Sequence, residues 1–311
     1  MSTNLQKKPF LNYEAQIETL KAKNLSIDDE QNAIYILSKT SYYGLINGYK
    51  DCFKDNDTHL FINGTTFSDI YNLYLFDADL RDIFLKYILI FERHIKSSIS
   101  YHFSNIYGNG IDCYQNFSNY DFGSNKADVK KLFNKMNQKL RSKQISSHVM
   151  HYWNTYGDVP LWVLATDLTF GEISTMYRYL KGRCKTLVCN EFHHIGRAEL
   201  GKMLVILTKF RNICAHGNRL FNARTQDALL DCIAHKKLNI PKNNSLYIYG
   251  KSDLFAAVIA LKYLLDTNDF RDFYYALKKC IHKHNPRESI IKVMGFPSNW
   301  MSILRIKTNK Q

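Results

Sequence analysis

Between Leu80 and Ile106, apolar side chains recur at Ile83, Phe84, Tyr87, Ile88, Phe91, Ile95, Ile99 and Phe103. Steps of three and four residues put them along one stripe of an α-helix, and a stripe this long needs other helices to cover it. Turn formers are scarce: five Pro and fourteen Gly in 311 residues leave few obligatory breaks, which favours long helices over a strand-and-turn design. Together these features predict an all-α chain, a helical bundle with additional N- and C-terminal helices. The apolar share of 45% and charged share of 23% are those of a folded protein rather than a disordered one. Local signals refine the outline. Ser26, followed by Asp28, Asp29 and Glu30, reads as a helix N-cap with acids in the first turn. A helical stretch from Phe67 to Phe76 is expected to stop at Asp77 before the long helix begins, and a short strand is expected at 246–249. The expected organisation is a helical body over 1–225 and a C-terminal helical extension over 226–311 packed on it.

Charge narrows the class of partner. Lys and Arg number 42 against 28 Asp and Glu, so the net charge is 42 − 28 = +14. Such an excess attracts polyanions, either nucleic acid or an anionic membrane face; the competing reading is a chain that is simply rich in Lys throughout. The location of the charge favours a footprint. Lys126, Lys130, Lys131, Lys135, Lys139, Arg141 and Lys143 face Asp128 alone over 126–143. A second group runs from Lys278 through Lys279, Lys283, Arg287, Lys292, Arg305 and Lys307 to Lys310. Lys130, Lys131, Lys135, Lys139, Arg141 and Lys143 are therefore the candidate nucleic-acid-binding residues. Seven cysteines, an odd number with no C-x-x-C pair, argue for reduced thiols. Residues 1–10 carry no apolar signal core, and the apolar run Ile83–Phe91 is interrupted by Lys86, far below the roughly 18 residues of a membrane span. A cytoplasmic protein without a membrane partner is expected.

The stretch Phe210-Arg-Asn-Ile-Cys-Ala-His-Gly-Asn-Arg-Leu-Phe221 is the most informative. An apolar stripe of Leu200, Met203, Leu204, Leu207, Phe210 and Cys214 leads into Arg211, Asn212, His216, Asn218 and Arg219. On a helix Asn212, His216 and Arg219 share a face, whereas Arg211 lies about 140° from His216. One regular helix cannot aim both at one small site, so either the helix loosens near Gly217 or a second subunit completes the site. These residue types suit metal-independent RNA cleavage. A His can take the ribose 2′-OH proton or protonate the leaving oxygen, and an Arg can hold the phosphate and its growing charge. The competing reading is structural: His216 and Asn218 cap a helix C-terminus while Arg211 holds a carboxylate. Glu92 and Lys96 form an i,i+4 pair, expected on a solvated face. His193-His194 and His282-x-His284 lack Cys or acid ligands at zinc spacing, so no metal and no cofactor is expected. There is no G-x4-G-K-[ST] phosphate loop.

Seven stretches carry a resemblance to a known family. They are Lys8-Pro-Phe-Leu, Leu37-Ser-Lys-Thr-Ser-Tyr-Tyr-Gly-Leu-Ile-Asn-Gly-Tyr49, Phe76-Asp-Ala-Asp-Leu-Arg81, Ile90-Phe-Glu-Arg-His-Ile-Lys96, Leu168-Thr-Phe-Gly171, Arg211-Asn-Ile-Cys-Ala-His216 with Gly217-Asn-Arg-Leu220, and Gly295-Phe-Pro-Ser-Asn-Trp300. In this order they resemble the abortive-infection (Abi) proteins of the AbiD/AbiF type, whose helical core belongs to the HEPN superfamily. The resemblance implies a HEPN-like all-α fold, a homodimer with an R-x4-6-H motif at the subunit interface, and action on RNA in phage defence. It implies Arg211 and His216 as the catalytic pair with Asn212 beside them, and Glu92 as an acid orienting one of the pair; Asn218 and Arg219 would support them. Gly217 stands where many relatives carry a second polar residue or His. A toxin-type protein held by a small non-coding RNA, binding without cleaving, is the alternative.

Overall fold

The computed structural model describes residues 9–141, 145–192 and 195–306. In chain order its helices are α1 (Tyr13–Lys21), α2 (Glu30–Thr40), α3 (Phe67–Tyr107), α4 (Ile111–Tyr114), α5 (Lys126–Arg141), α6 (Ser147–Tyr156), α7 (Leu161–Asp167), α8 (Phe170–Tyr179), α9 (Gly182–Cys189), α10 (Arg197–Ala215) and α11 (Ile233–Lys237). The strands β1 (Lys242–Asn243) and β2 (Leu246–Tyr247) form one antiparallel hairpin, and α12 (Leu254–Leu264), α13 (Thr267–His284) and α14 (Glu288–Val293) follow. The fold is all-α. No helix among the described residues is long and apolar enough to cross a membrane.

Two compact units divide the chain, one of residues 1–80 and 279–291, the other of residues 81–278 and 292–311. In the first, α1 packs on α2. Asn12 caps α1 by accepting from the Ala15 amide at 2.9 Å, and Asp29, not Ser26, caps α2 by accepting from the Asn32 amide at 2.9 Å. Ser26 is drawn away into a bridge with Thr66, its amide donating to the Thr65 carbonyl at 3.0 Å. The expected break at Asp77 is absent, because α3 runs unbroken from Phe67. Asp77 is fully buried and accepts from the Tyr49 hydroxyl at 2.8 Å, so its carboxylate is satisfied without leaving the helix.

The second unit is built around two helices. On α3, Phe84, Ile88, Phe91, Ile95, Ile99 and Phe103 are all wholly buried, as the stripe requires. The other is α12, in which every residue but Lys262 is buried, the mark of a helix surrounded by others on all sides. The α10 helix packs on α8, α9 and α12, while α5 packs on α7 and α8. A capping box starts α8: the Thr169 hydroxyl accepts from the Glu172 amide at 3.2 Å and the Glu172 carboxylate accepts from the Thr169 amide at 2.7 Å. Residues 228–232 carry no regular secondary structure, and helix resumes only at Ile233. The expected strand shortens to Leu246–Tyr247.

Candidate active site

The apolar stripe of α10 is buried as its spacing demands: Leu200, Met203, Leu204, Leu207, Phe210 and Cys214 all lie in the core. This fixes the rotation of the helix and with it the position of Arg211, at the edge of the stripe and about one-third exposed. Its Nε donates to Glu92 Oε2 at 3.3 Å, and the other carboxylate oxygen of Glu92 lies 3.1 Å from the Lys96 ammonium. Glu92 is buried. The Glu92–Lys96 pair is therefore not the solvated one expected from its spacing, because Arg211, 119 positions away, and the packing around α3 remove it from water. Lys96 also reaches the Thr166 carbonyl at 3.4 Å. One buried carboxylate thus holds two cations, and Arg211 is tethered through Nε alone in the contact with Glu92. A guanidinium is a planar fork of five donors, so a tether at Nε orients its other edges.

The end of α10 has the hydrogen bonding of a Schellman closure. His216 is the C-cap, and its amide still donates to the Asn212 carbonyl at 3.0 Å. Gly217 then takes a left-handed φ of 66°; its amide donates to Cys214 at 3.1 Å and that of Asn218 to Ile213 at 3.0 Å. Helical register therefore persists through both Arg211 and His216, and the chain turns only afterwards. Loosening at Gly217 does not bring the two side chains together. Arg219 lies past the turn, so the helical extrapolation that grouped it with Asn212 and His216 does not reach it. Asn212, His216, Asn218 and Arg219 are all exposed. Both geometric elements of the structural reading are present, with Arg211 on a carboxylate and His216 at a C-cap.

A second polar cluster in the same unit was missed in the sequence. Glu191 bridges two histidines of α3, with Oε2 3.0 Å from His94 Nε2 and Oε1 2.7 Å from His102 Nε2. The charged run around Glu92 was visible, but nothing local pointed to Glu191. On α5, Val129, Leu132, Phe133, Met136 and Leu140 are buried, while Lys130, Lys131, Lys135 and Arg141 are exposed and Lys139 half-buried. Lys131 lies 3.6 Å from Asp128, and Lys143 lies outside the described residues. In the C-terminal basic group, Lys283 binds Asp79 at 2.8 Å and Arg287 lies 3.7 Å from Asp69, so part of that charge is neutralised internally.

The family model for Abi-like proteins matches residues 35–222, more than half of the chain. The chain belongs to the Abi-like protein family. The matched segment contains Glu92, Lys96, α5 and all of the Arg211–Arg219 stretch, so the carboxylate and its two cations lie wholly within the Abi-like part of the chain. No curated protein and no solved structure matches the chain.

Proposed function

We propose that this Abi-like protein is a phage-defence ribonuclease: a HEPN-type homodimer that cleaves RNA without a metal ion and so halts growth of the infected cell. The observation that carries the reading is the Arg211 guanidinium, anchored by buried Glu92 at the surface, on the same regular helix whose end presents exposed His216. An arginine pre-oriented in this way stabilises the charge of a pentacoordinate phosphate without reorganising during the reaction. His216 acts as the general base on the ribose 2′-OH. The 2′-oxygen attacks the adjacent phosphorus, the bond to the 5′-oxygen breaks, and a proton is delivered to that leaving oxygen. The products are a 2′,3′-cyclic phosphate and a 5′-OH end, and DNA is inert because it lacks the nucleophile.

The helical register separates Arg211 from His216 by about 140° within one chain, which favours a composite site with Arg211 from one subunit and His216 from the other. Asn212, on the His216 side, supports the base. The exposed Lys130, Lys131, Lys135 and Arg141 of α5, with half-buried Lys139, gather the polyanion. The test is cleavage of RNA in excess EDTA by the wild type, Arg211→Ala and His216→Ala. Loss of activity in both variants is expected; equal activity in all three would remove the site.

A second reading has its own support. Because Arg211 and His216 each also serve the fold, as carboxylate partner and helix cap, the protein is alternatively a toxin-type RNA binder held by a small non-coding RNA. Nucleic acid co-purifying with the protein, seen as an excess of 260 nm absorbance, together with no cleavage under any condition, would favour it.

A further inference from the structure

The unit formed by residues 1–80 and 279–291 contains a cluster that the RNA chemistry does not use. Cys280 and His284 are one turn apart on α13 and so share a face. Asp79, on α3, meets them there: its Oδ2 is 2.7 Å from His284 Nε2, and the ligand atoms of Asp79, Cys280 and His284 all lie within 4.8 Å of one another. The sequence displayed His282-x-His284 as the pair to consider, but His282 is exposed and lies off this face. The partners that matter are the cysteine four residues earlier and an acid some two hundred positions away.

We propose that Asp79, Cys280 and His284 bind a zinc ion. The donor set is right: thiolate, imidazole and carboxylate are the three zinc ligand types, and only one further position, taken by water, is needed for a tetrahedron. The charges also balance, since one thiolate and one carboxylate neutralise a divalent ion. The fit is close. Zinc bonds of about 2.0–2.3 Å place tetrahedral ligands roughly 3.3–3.6 Å apart, so the set, already within 4.8 Å, needs the 2.7 Å His284–Asp79 contact to open as the ion enters.

Three features of the surroundings bear on this. Cys280 is buried, its thiol shielded from bulk water, and a metal ion bound there displaces the thiol proton. Binding releases that proton to solvent as the S–Zn bond forms; no electron changes hands. The Lys283 ammonium sits 2.8 Å from Asp79 Oδ2, but it is largely exposed and able to swing into water once a metal ion takes over the carboxylate. A cleft lined by Phe53, Leu73, Phe76, His284, Arg287 and Ile290 opens at His284 and gives the ion a route. The Phe76 ring, 5.6 Å from the imidazole, supplies a dry wall on that side.

The experiment is a titration of the metal-stripped, full-length protein with Co2+, followed by displacement with Zn2+. A thiolate-to-cobalt charge-transfer band that saturates at one equivalent and is abolished by Zn2+ is expected. Cys280→Ser should remove the band, and His284→Gln and Asp79→Asn should each weaken Co2+ binding by about tenfold or more. Cys232→Ser is the control, because Cys232 lies 3.1 Å from His235 Nδ1 and is the rival Cys–His pair; its band should persist. Absence of a thiolate band in the wild type overturns the proposal, whether or not the variants fold. So does a band that survives in Cys280→Ser or vanishes in Cys232→Ser. These readouts are spectroscopic and independent of RNA cleavage.

Discussion

Mixing two inactive variants tests the composite site directly. If each site takes Arg211 from one subunit and His216 from the other, a dimer of one Arg211→Ala chain and one His216→Ala chain has one dead site and one intact site. The dead site contains both substitutions; the intact one contains neither. Co-refolded at equal amounts, half of the dimers are mixed and each has one working site of two, so about one quarter of wild-type activity is expected from random pairing of a two-fold dimer. The structural basis is the register of α10. The His216 amide still bonds the Asn212 carbonyl at 3.0 Å, so five helical steps separate the two residues, about 140° of rotation and roughly 7.5 Å of rise. The assay is endpoint cleavage of a fluorescently labelled RNA in EDTA, comparing each variant alone with the mixture. Activity in the mixture no higher than in either variant alone, with dimers verified by light scattering, would refute trans assembly and with it the argument from helical register.

Four further outcomes can be measured. Glu92→Ala strands Lys96 and Arg211 beside a buried gap, and because both cations are partly exposed the cost is about 2–3 kcal/mol rather than the larger figure for a fully buried pair; urea unfolding measures it, and a Glu92→Ala/Arg211→Ala cycle with coupling below about 0.5 kcal/mol would rule out the ion pair. His235 is fully buried and burial holds its pKa below the ordinary 6.5, so the unfolded chain binds the extra proton and stability is lost as pH falls below that value; the urea midpoint should fall more steeply from pH 7 to 5 in the wild type than in His235→Gln. Gly295→Ala should cost about 3 kcal/mol or more in thermal unfolding, since a Cβ there overlaps the Asp253 carboxylate at a φ of 81°, whereas Gly217→Ala, with nothing within 4 Å, should cost only about 1–2 kcal/mol of backbone strain. Replacing Lys130, Lys131 and Lys135 with Ala in a His216→Ala background should weaken RNA binding and flatten the slope of log affinity against log salt by about 2, because each phosphate a lysine neutralises on a single strand contributes about 0.7 to that slope; fluorescence anisotropy across a salt series reads it.

Much of the fold was legible because it is written in local periodicity. The α10 stripe could be read residue by residue, and all six of its apolar members are buried. The long α3 stripe was equally clear. What could not be read was any partner distant in sequence. Asp77 looked like a helix breaker because the Tyr49 hydroxyl that satisfies it is 28 positions away. Ser26 looked like a cap because its bridge to Thr66 was invisible, leaving that role to Asp29, three residues on. At the candidate site the residue types were evident, and so was the divergence of Arg211 from His216. The burial of Glu92 was not, since an i,i+4 acid–base pair on a helix is solvated by default and only tertiary packing makes it otherwise. The Cys280–His284 spacing was in plain view, yet without Asp79 it suggested nothing.

The closure of α10 divides the labour along a few residues in a way that bears on how such a chain can change over generations. His216, Asn212 and Asn218 lie outside the core, where replacement costs the fold about 1 kcal/mol or less even at a helix cap. Glu92 lies inside, where replacement costs more than that. Descendants can therefore shed or retune the exposed end while remaining folded, but they can lose the carboxylate only with compensation elsewhere. A drifting lineage should part with the histidine early and keep the glutamate.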